Sequence, residues 1–345
     1  MSTPFAVPLS PPASASAVAR RIRGIRAETG EVGGVDHRVA GGRRMRAVRI
    51  DRFGDVGSLR VDEVPDSEAG PGEVLIAAVA SSINPVDDKT REGAIGEGTP
   101  PLPMTLGWDL AGIVIDGGTS DLRPGQRVFA MSHQLGTGTG TWADLVALPA
   151  DSVAPAPKSI TAAEAAALPL IGLTALQTLD WLAVSAGDRL LVTGAAGAVG
   201  AVALQLAHAR GAQVDALVSR ESQLDVVRSI GAKFATTEPA ALRAGGYDAV
   251  FDTFGAFVTD AVADGGRYAS IATQAGPVPD LSARNVRTTV NQVREDGAGL
   301  RELARHVDDG LLGVRVDSTF GIHRIHAAHE RFARADRKGK VVVTF

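Results

Sequence analysis

The stretch LLVTGAAGAVGAVALQLAHARGAQVDALVSR, residues 190–220, decides how the rest of the chain is read. It opens on an apolar strand pattern, passes through Gly194, Gly197 and Gly200, and continues into a helical stripe of Val199, Val202, Ala203, Leu206 and Ala207. Gly211 ends that helix, and a second strand pattern, QVDALV, follows. Such a turn lets backbone N–H groups at a helix N-terminus approach a pyrophosphate without Cβ atoms in the way. Against the spacing GxGxxG, the window from Ala195 to Gly200 carries the second and third glycines and has Ala at the first. Gly194, one residue earlier, can supply the tight turn. The candidate cofactor loop is therefore Gly194, Ala195, Ala196, Gly197, Ala198, Val199 and Gly200.

Two rival glycine motifs fail. A phosphate-binding P-loop needs Lys and Ser or Thr after its last glycine, where Ala201 and Val202 stand. The short-chain dehydrogenase pattern TGxxxGxG needs glycine at Ala198, and the YxxxK pair is missing, because Phe251 and Ala272 lie four residues after Tyr247 and Tyr268.

Downstream, RLLVT, QVDALV, KFATT, YDAVFDT, RYASIAT and TTVNQV read as six strands separated by helical or turn segments, the count of a complete dinucleotide-binding sheet. Upstream, MRAVRI, LRVDEV, GEVLIAAVAS, DLAGIVID, QRVFAM and WADLVALP are short β-like runs broken by Gly, Pro and Asp, so this half reads as irregular and largely antiparallel. The closing KGKVVVTF is far enough from the parallel sheet to return to the first domain. The expected fold is α/β, an irregular β-rich catalytic domain (residues 45–165 plus 292–345) and a doubly wound parallel-sheet Rossmann domain (166–291). The first 44 residues, with seven arginines against three acids, read as a disordered or artefactual extension.

Composition narrows the chemistry. The 345 residues are 45% apolar but only 4% aromatic, so the core must be built from Val, Leu, Ile and Ala. No cysteine is present, which removes thiolate nucleophiles and Cys-ligated zinc. A net charge of −4 with no basic stripe argues against nucleic acid, and no apolar run reaches membrane-spanning length. The expected partner is a small-molecule substrate, in a cytoplasmic protein.

The second strand of the opening stretch ends in VSRESQ rather than in the acid that binds adenosine ribose hydroxyls in NAD sites. Ser219 and Arg220 instead suit a 2′-phosphate, which favours NADPH over NADH. Glu221 would reverse that preference if the loop placed it at the ribose.

Taken together and in order, SSINPVDDKTREG, LGWDLAGIV, LRPGQRVFAM, AAALPLIGLTALQTL, VTGAAGAVG, YDAVFDTFG and GKVVVTF make residues 45–345 resemble the zinc-independent medium-chain dehydrogenase/reductases, in their quinone oxidoreductase and enoyl reductase branch. The resemblance implies a GroES-like catalytic domain formed from both chain ends, no metal, and an active site in the cleft between domains. It places Asn84 and Asp87 at the nicotinamide end of that cleft, and Thr174 and Thr253 beside the cofactor. Where many quinone reductases carry Tyr two residues after the Asp, this chain has Lys89, which becomes the candidate for stabilising a charged carbonyl oxygen or delivering a proton, with Asn84 as its catalytic partner. Arg91 reads as a surface or phosphate-contacting group. His133 and Trp142, flanking a glycine-rich segment read as a mobile loop, are substrate candidates. His323, His326 and His329 read as an exposed helical face rather than a metal site. The implied activity is NADPH-dependent hydride transfer to a quinone or to the C=C bond of an α,β-unsaturated carbonyl. An NADPH-binding protein with a structural or regulatory role is the alternative, and an exposed edge at TTVNQV would allow a homodimer.

Overall fold

A computed structural model describes residues 43–345. The N-terminal extension expected from composition falls, but for its last two residues, outside that range. Described structure opens with β1 (Arg44–Ile50), β2 (Arg60–Pro65), β3 (Glu73–Ser82), α1 (Pro85–Arg91), β4 (Met104–Thr105), β5 (Asp109–Asp116), β6 (Arg127–Met131), α2 (Gln134–Thr137), β7 (Leu145–Pro149) and β8 (Val153–Pro155). Two helices, α3 (Ala162–Ala166) and α4 (Pro169–Trp181), lead into β9 (Arg189–Thr193), α5 (Ala198–Ala209), β10 (Gln213–Leu217), α6 (Leu224–Ser229), β11 (Phe234–Thr236), β12 (Tyr247–Asp252), β13 (Val262–Ser270) and β14 (Arg287–Val290). The chain closes with α7 (Gly297–Asp308), β15 (Val316–Gly321), α8 (Ile325–Ala333) and β16 (Lys340–Thr344).

The six later strands form one all-parallel sheet in the order β11-β10-β9-β12-β13-β14. Strand order reverses between β9 and β12, the point at which open α/β sheets form their binding crevice. Side chains of β9 alternate between faces as strand geometry requires. Leu190 and Val192 enter the main core with α4 and α5, while Leu191 packs on the other face with Tyr247, Tyr268 and Leu281.

That second face differs from the expected winding. The crossovers into β13 and β14 carry short 3₁₀ turns, Thr259–Ala261 and Ser282–Arg284, instead of α-helices. The physical reason is short reach and breakers: residues 253–261 are too few for a helix with its turns, and the connection to β14 carries Gly276, Pro277 and Pro279, which do not sustain a helix interior.

The first half builds a seven-stranded sheet, β15-β16-β3-β5-β6-β8 with β7 also on β3, and a small sheet β2-β1-β4. The last strand returns as expected: β16 runs antiparallel to β3, pairing Val342 with Ser82. This return carries Lys340 beneath α1. Among the described residues, no helix is long and apolar enough to cross a membrane.

Candidate active site

The glycine loop joins β9 to α5 at the switch point. Gly194 adopts φ +62°, and a Cβ there would lie 2.7 Å from Thr253 Oγ1. At Gly200 a Cβ would lie 2.4 Å from the Gly194 carbonyl oxygen, so this helix residue must also lack a side chain. The N-cap of α5 is Gly197, which offers no capping side chain. A twelve-residue helix therefore begins with first-turn N–H groups that no side-chain cap satisfies, at the positive end of its dipole. Open amides and a cradle that Cβ atoms would fill fit a dinucleotide pyrophosphate.

The opposite wall is set by Asp252, a fully buried residue that the sequence reading passed over. Its Oδ1 accepts from Thr193 Oγ1 and from the N–H groups of Phe254, Gly255 and Ala256, at 3.2, 2.8 and 3.2 Å. Its Oδ2 accepts from Phe257 N–H at 3.0 Å and the Tyr268 hydroxyl at 2.7 Å. Burial alone would raise this carboxyl, but the bonds from Thr193, Tyr268 and the backbone outweigh it and hold it below the usual range. The charge thus folds residues 253–257 into a tight loop over the strand ends. Thr253 donates to the Thr193 carbonyl at 2.7 Å, bracing the glycine loop, and Phe254 stands 64% exposed beside it.

At the adenosine end, Ser219 bonds Gln223 Oε1 through both its N–H and its hydroxyl, each at 3.2 Å. Arg220 is exposed and reaches the Ala335 carbonyl across the cleft at 3.2 Å. Glu221 accepts a hydrogen bond from Thr237 at 3.3 Å, on the next strand's loop. A second cation, missed in the sequence, comes from the other domain: Arg315 donates to the Ala196 carbonyl at 3.3 Å, within the glycine loop itself. Its position just before β15, some 120 residues from the loop, left no local signal.

Lys89 on α1 donates to Gln274 Oε1 at 3.2 Å, bridging the catalytic domain to the loop after β13. His133 is exposed, stacks 5.2 Å from Trp108, and its N–H bonds Glu295. Thr174 is almost buried and donates its hydroxyl to Leu170 O at 2.7 Å.

Several expected contacts are corrected. Asn84 and Asp87 have no exposed surface, so neither touches substrate or cofactor in this structure. Asn84 instead spends its amide on Asp109 Oδ2 at 2.8 Å and its carbonyl on Lys340 Nζ. Asp109 also accepts from Ser82 Oγ and, at 2.7 Å, from the N–H of Leu170 at the start of α4. Lys340 lies 3.5 Å from Asp109 and donates to Ile83 O at 3.0 Å. Two carboxylates and one ammonium share this dry site. Burial pushes the Asp87 carboxyl well up, and the Asp109 charge adds to that. Burial likewise pulls the Lys340 ammonium down, against the pull of Asp109 and Asp87.

Trp142 is fully buried among Ile50, Leu106 and Ile325 and is no substrate contact. Gly140 beside it serves close packing, since a Cβ there would lie 2.3 Å from the Leu106 backbone, whereas Gly136 has open space around it. Arg91 is buried too, donating to Gly54 O at 2.6 Å and pairing with Asp88 and Glu92. His329, expected on an exposed face, is 2% exposed: it bonds Asp88 at 2.8 Å and meets Trp142 edge-on at 5.3 Å. His323 and His326 remain at the surface. Among the described residues, no group of three or more His, Asp or Glu side chains converges as a metal site would require.

The chain matches the GroES-like domain model of alcohol dehydrogenases over residues 70–158 and a zinc-binding dehydrogenase model over 204–343. It is 32% identical to the chloroplastic NADPH-dependent alkenal/one oxidoreductase of Arabidopsis thaliana, over 87% of this chain and 80% of that one. The 2-methylene-furan-3-one reductase of Solanum lycopersicum is 31% identical over 87% and 79%. The quinone oxidoreductase of Coxiella burnetii superposes with a TM-score of 0.78 at 27% identity, covering 88% of this chain and all of that one. The parallel sheet with its glycine loop, the β domain closed by the returning C-terminal strand, and these full-length likenesses agree: the chain belongs to the medium-chain dehydrogenase/reductases, in their quinone oxidoreductase and enoyl reductase branch.

Proposed function

We propose that this chain is an NADPH-dependent reductase of α,β-unsaturated carbonyls or quinones that works without a metal. The observation that carries the reading is the open N-terminus of α5, where Gly197 provides no capping group and the Arg315 guanidinium stands within the same loop. Arg315 and the α5 amides would hold the pyrophosphate, and Arg220 with Ser219 the 2′-phosphate. The Glu221 carboxylate accepts from Thr237 on the loop after β11, and that engagement away from Arg220 supports NADPH over NADH. A reduced nicotinamide held by these residues would supply hydride chemistry to the acceptor.

The residues around it do the rest. Lys89 can exchange its Gln274 partner for the acceptor's carbonyl oxygen, stabilising the charge that develops there as hydride arrives at the β-carbon. Either the Lys89 ammonium or water then supplies the proton. Asn84, Asp109 and Lys340 act behind this surface: they anchor the start of α1 and the start of α4 to one buried ion pair, so both walls keep a fixed relation. The same reading includes a homodimer paired along β14, an edge strand of the parallel sheet with Val290 exposed.

Stopped-flow measurement of NADPH oxidation against a panel of enones, enals and quinones tests this. Turnover of at least one class with NADPH preferred supports it. NADPH bound but not oxidised by any acceptor overturns the enzymatic assignment.

A further inference from the structure

At the end of the parallel sheet opposite the glycine loop, the starts of β9, β10, β11 and β12 frame a cleft of about 430 Å³. Sites for small molecules span roughly 300–1,000 Å³, so this one suits a compact ligand. Its lining holds three cations, Arg189, Lys233 and Arg243, and one acid, Asp215.

Asp215 is already engaged. It is 9% exposed, accepts from the Tyr247 hydroxyl at 3.0 Å and lies 3.8 Å from Arg189, so it offsets at most one cation. The Lys233 ammonium donates to a neutral amide oxygen, Gln213 Oε1, at 3.0 Å. Among the described residues, the Arg243 guanidinium has no hydrogen-bond or ion-pair partner, although its carbonyl accepts from Gly246 N–H. Positive charge at the start of parallel strands can serve merely to offset the C-terminal dipole of a preceding helix. That account covers Lys233, which follows α6. It does not cover Arg243, which follows a proline-led 3₁₀ turn, Pro239–Ala241, with no macrodipole to balance.

The cleft also carries aromatic surface. Phe234 opens β11 with 43% of its surface exposed, at the rim beside Lys233. The Arg189 guanidinium lies 5.4 Å from the centre of the Tyr247 ring, making a flat cation-aromatic wall. Unoffset cations beside an exposed ring are complementary to an anion carried on a planar group.

We propose that this cleft binds a small planar organic anion, its phosphate or carboxylate held by Arg243, Lys233 and Arg189 and its ring lying on Phe234. The site is separate from the cofactor loop, which sits at the other end of β9.

The test is calorimetric titration of the full chain saturated with NADPH, so that adenosine-binding surface at the cofactor loop is filled. The probes are adenosine 5′-monophosphate, benzoate and inorganic phosphate. Saturable binding of at least one ring-bearing anion is expected, with inorganic phosphate at least tenfold weaker, and the tighter of the two ring probes identifies the head group. The double variant Lys233→Ala, Arg243→Ala should weaken that binding at least tenfold and Phe234→Ser severalfold. All three positions are exposed, and circular dichroism checks that the variants remain folded. Absence of saturable binding by both ring probes, equal binding of inorganic phosphate, or indifference to the double variant overturns the proposal. Should the chain take up no NADPH, benzoate titration of the free protein with the same variants decides the cleft by itself, so failure of the cofactor reading and failure of this one are told apart.

Discussion

Lys89 Nζ on α1 and Gln274 Oε1 on the loop after β13 stand 3.2 Å apart, so a hydrogen bond to a neutral amide links the two domains. The partner is weak enough to be displaced. An ammonium held by an uncharged group, rather than by a carboxylate, remains available to a developing oxyanion.

Lys89→Ala should therefore lower kcat by about 100-fold, within the range found when a positioned acid or oxyanion donor is removed. The dissociation constant for NADPH should change less than twofold. Single-turnover and equilibrium fluorescence measurements separate the two, and an unchanged kcat would leave Lys89 without a chemical role.

Arg220 and Arg315 should be distinguishable by cofactor. Arg220→Ala is expected to raise KM for NADPH about tenfold, the worth of one charge-assisted hydrogen bond, and to leave KM for NADH nearly unchanged. Arg315→Ala should weaken both cofactors to a similar degree, because the pyrophosphate is common to them. Equal effects of Arg220→Ala on the two would refute its assignment to the 2′-phosphate.

Lys340→Met removes the ammonium from Asp109 and Asn84 while keeping comparable bulk. It leaves a fully buried carboxylate uncompensated, and loss of one partner from such a pair costs about 3–5 kcal/mol. Urea unfolding should show that loss as a lower midpoint. A variant as stable as the parent would mean that Lys340 is not required to balance the buried charge.

Asp87 carries the opposite sign of effect. Burial raises its carboxyl in the folded chain, so between the ordinary carboxylate range and that raised value the folded state binds the extra proton. Stability in that window falls as pH rises. Asp87→Asn keeps an oxygen for the Asn84 N–H, 2.8 Å away in the parent, but has no charge to desolvate. Its melting temperature should match the parent at pH below that window, exceed it by a growing margin as pH rises through the window, and keep a constant margin above it. Parallel melting curves across pH would contradict the burial argument.

Much of the architecture could be read along the chain. RLLVT, QVDALV and YDAVFDT are strands because a short, nearly continuous apolar run needs only neighbouring residues to be specified, and Gly194 and Gly200 are read correctly as places where a backbone approaches closely. The remote KGKVVVTF reads as a strand able to return to the first domain because it lies so far along the chain from the parallel sheet, and β16 does pair with β3.

Side-chain destinations were a different matter. Asn84, Asp87 and Trp142 have the polarity and placement of site residues, yet they are sealed by Lys340, Asp109 and α8, segments that are distant in sequence. His329 looked like one of three exposed imidazoles until helix α8 turned it onto Asp88 and Trp142. Arg315, which no motif announced, arrives at the glycine loop only because β15 lies beside β16 at the domain junction.

By itself, then, the sequence determined the strand and helix periods, the glycine loop and the absence of thiol chemistry, all properties of local spacing or composition. Only the tertiary structure decided which polar groups face the cleft and which are entombed as a charge-balanced brace, because burial depends on what packs against a residue and those partners come from other segments, Asp109 lying 25 and Lys340 256 residues from Asn84.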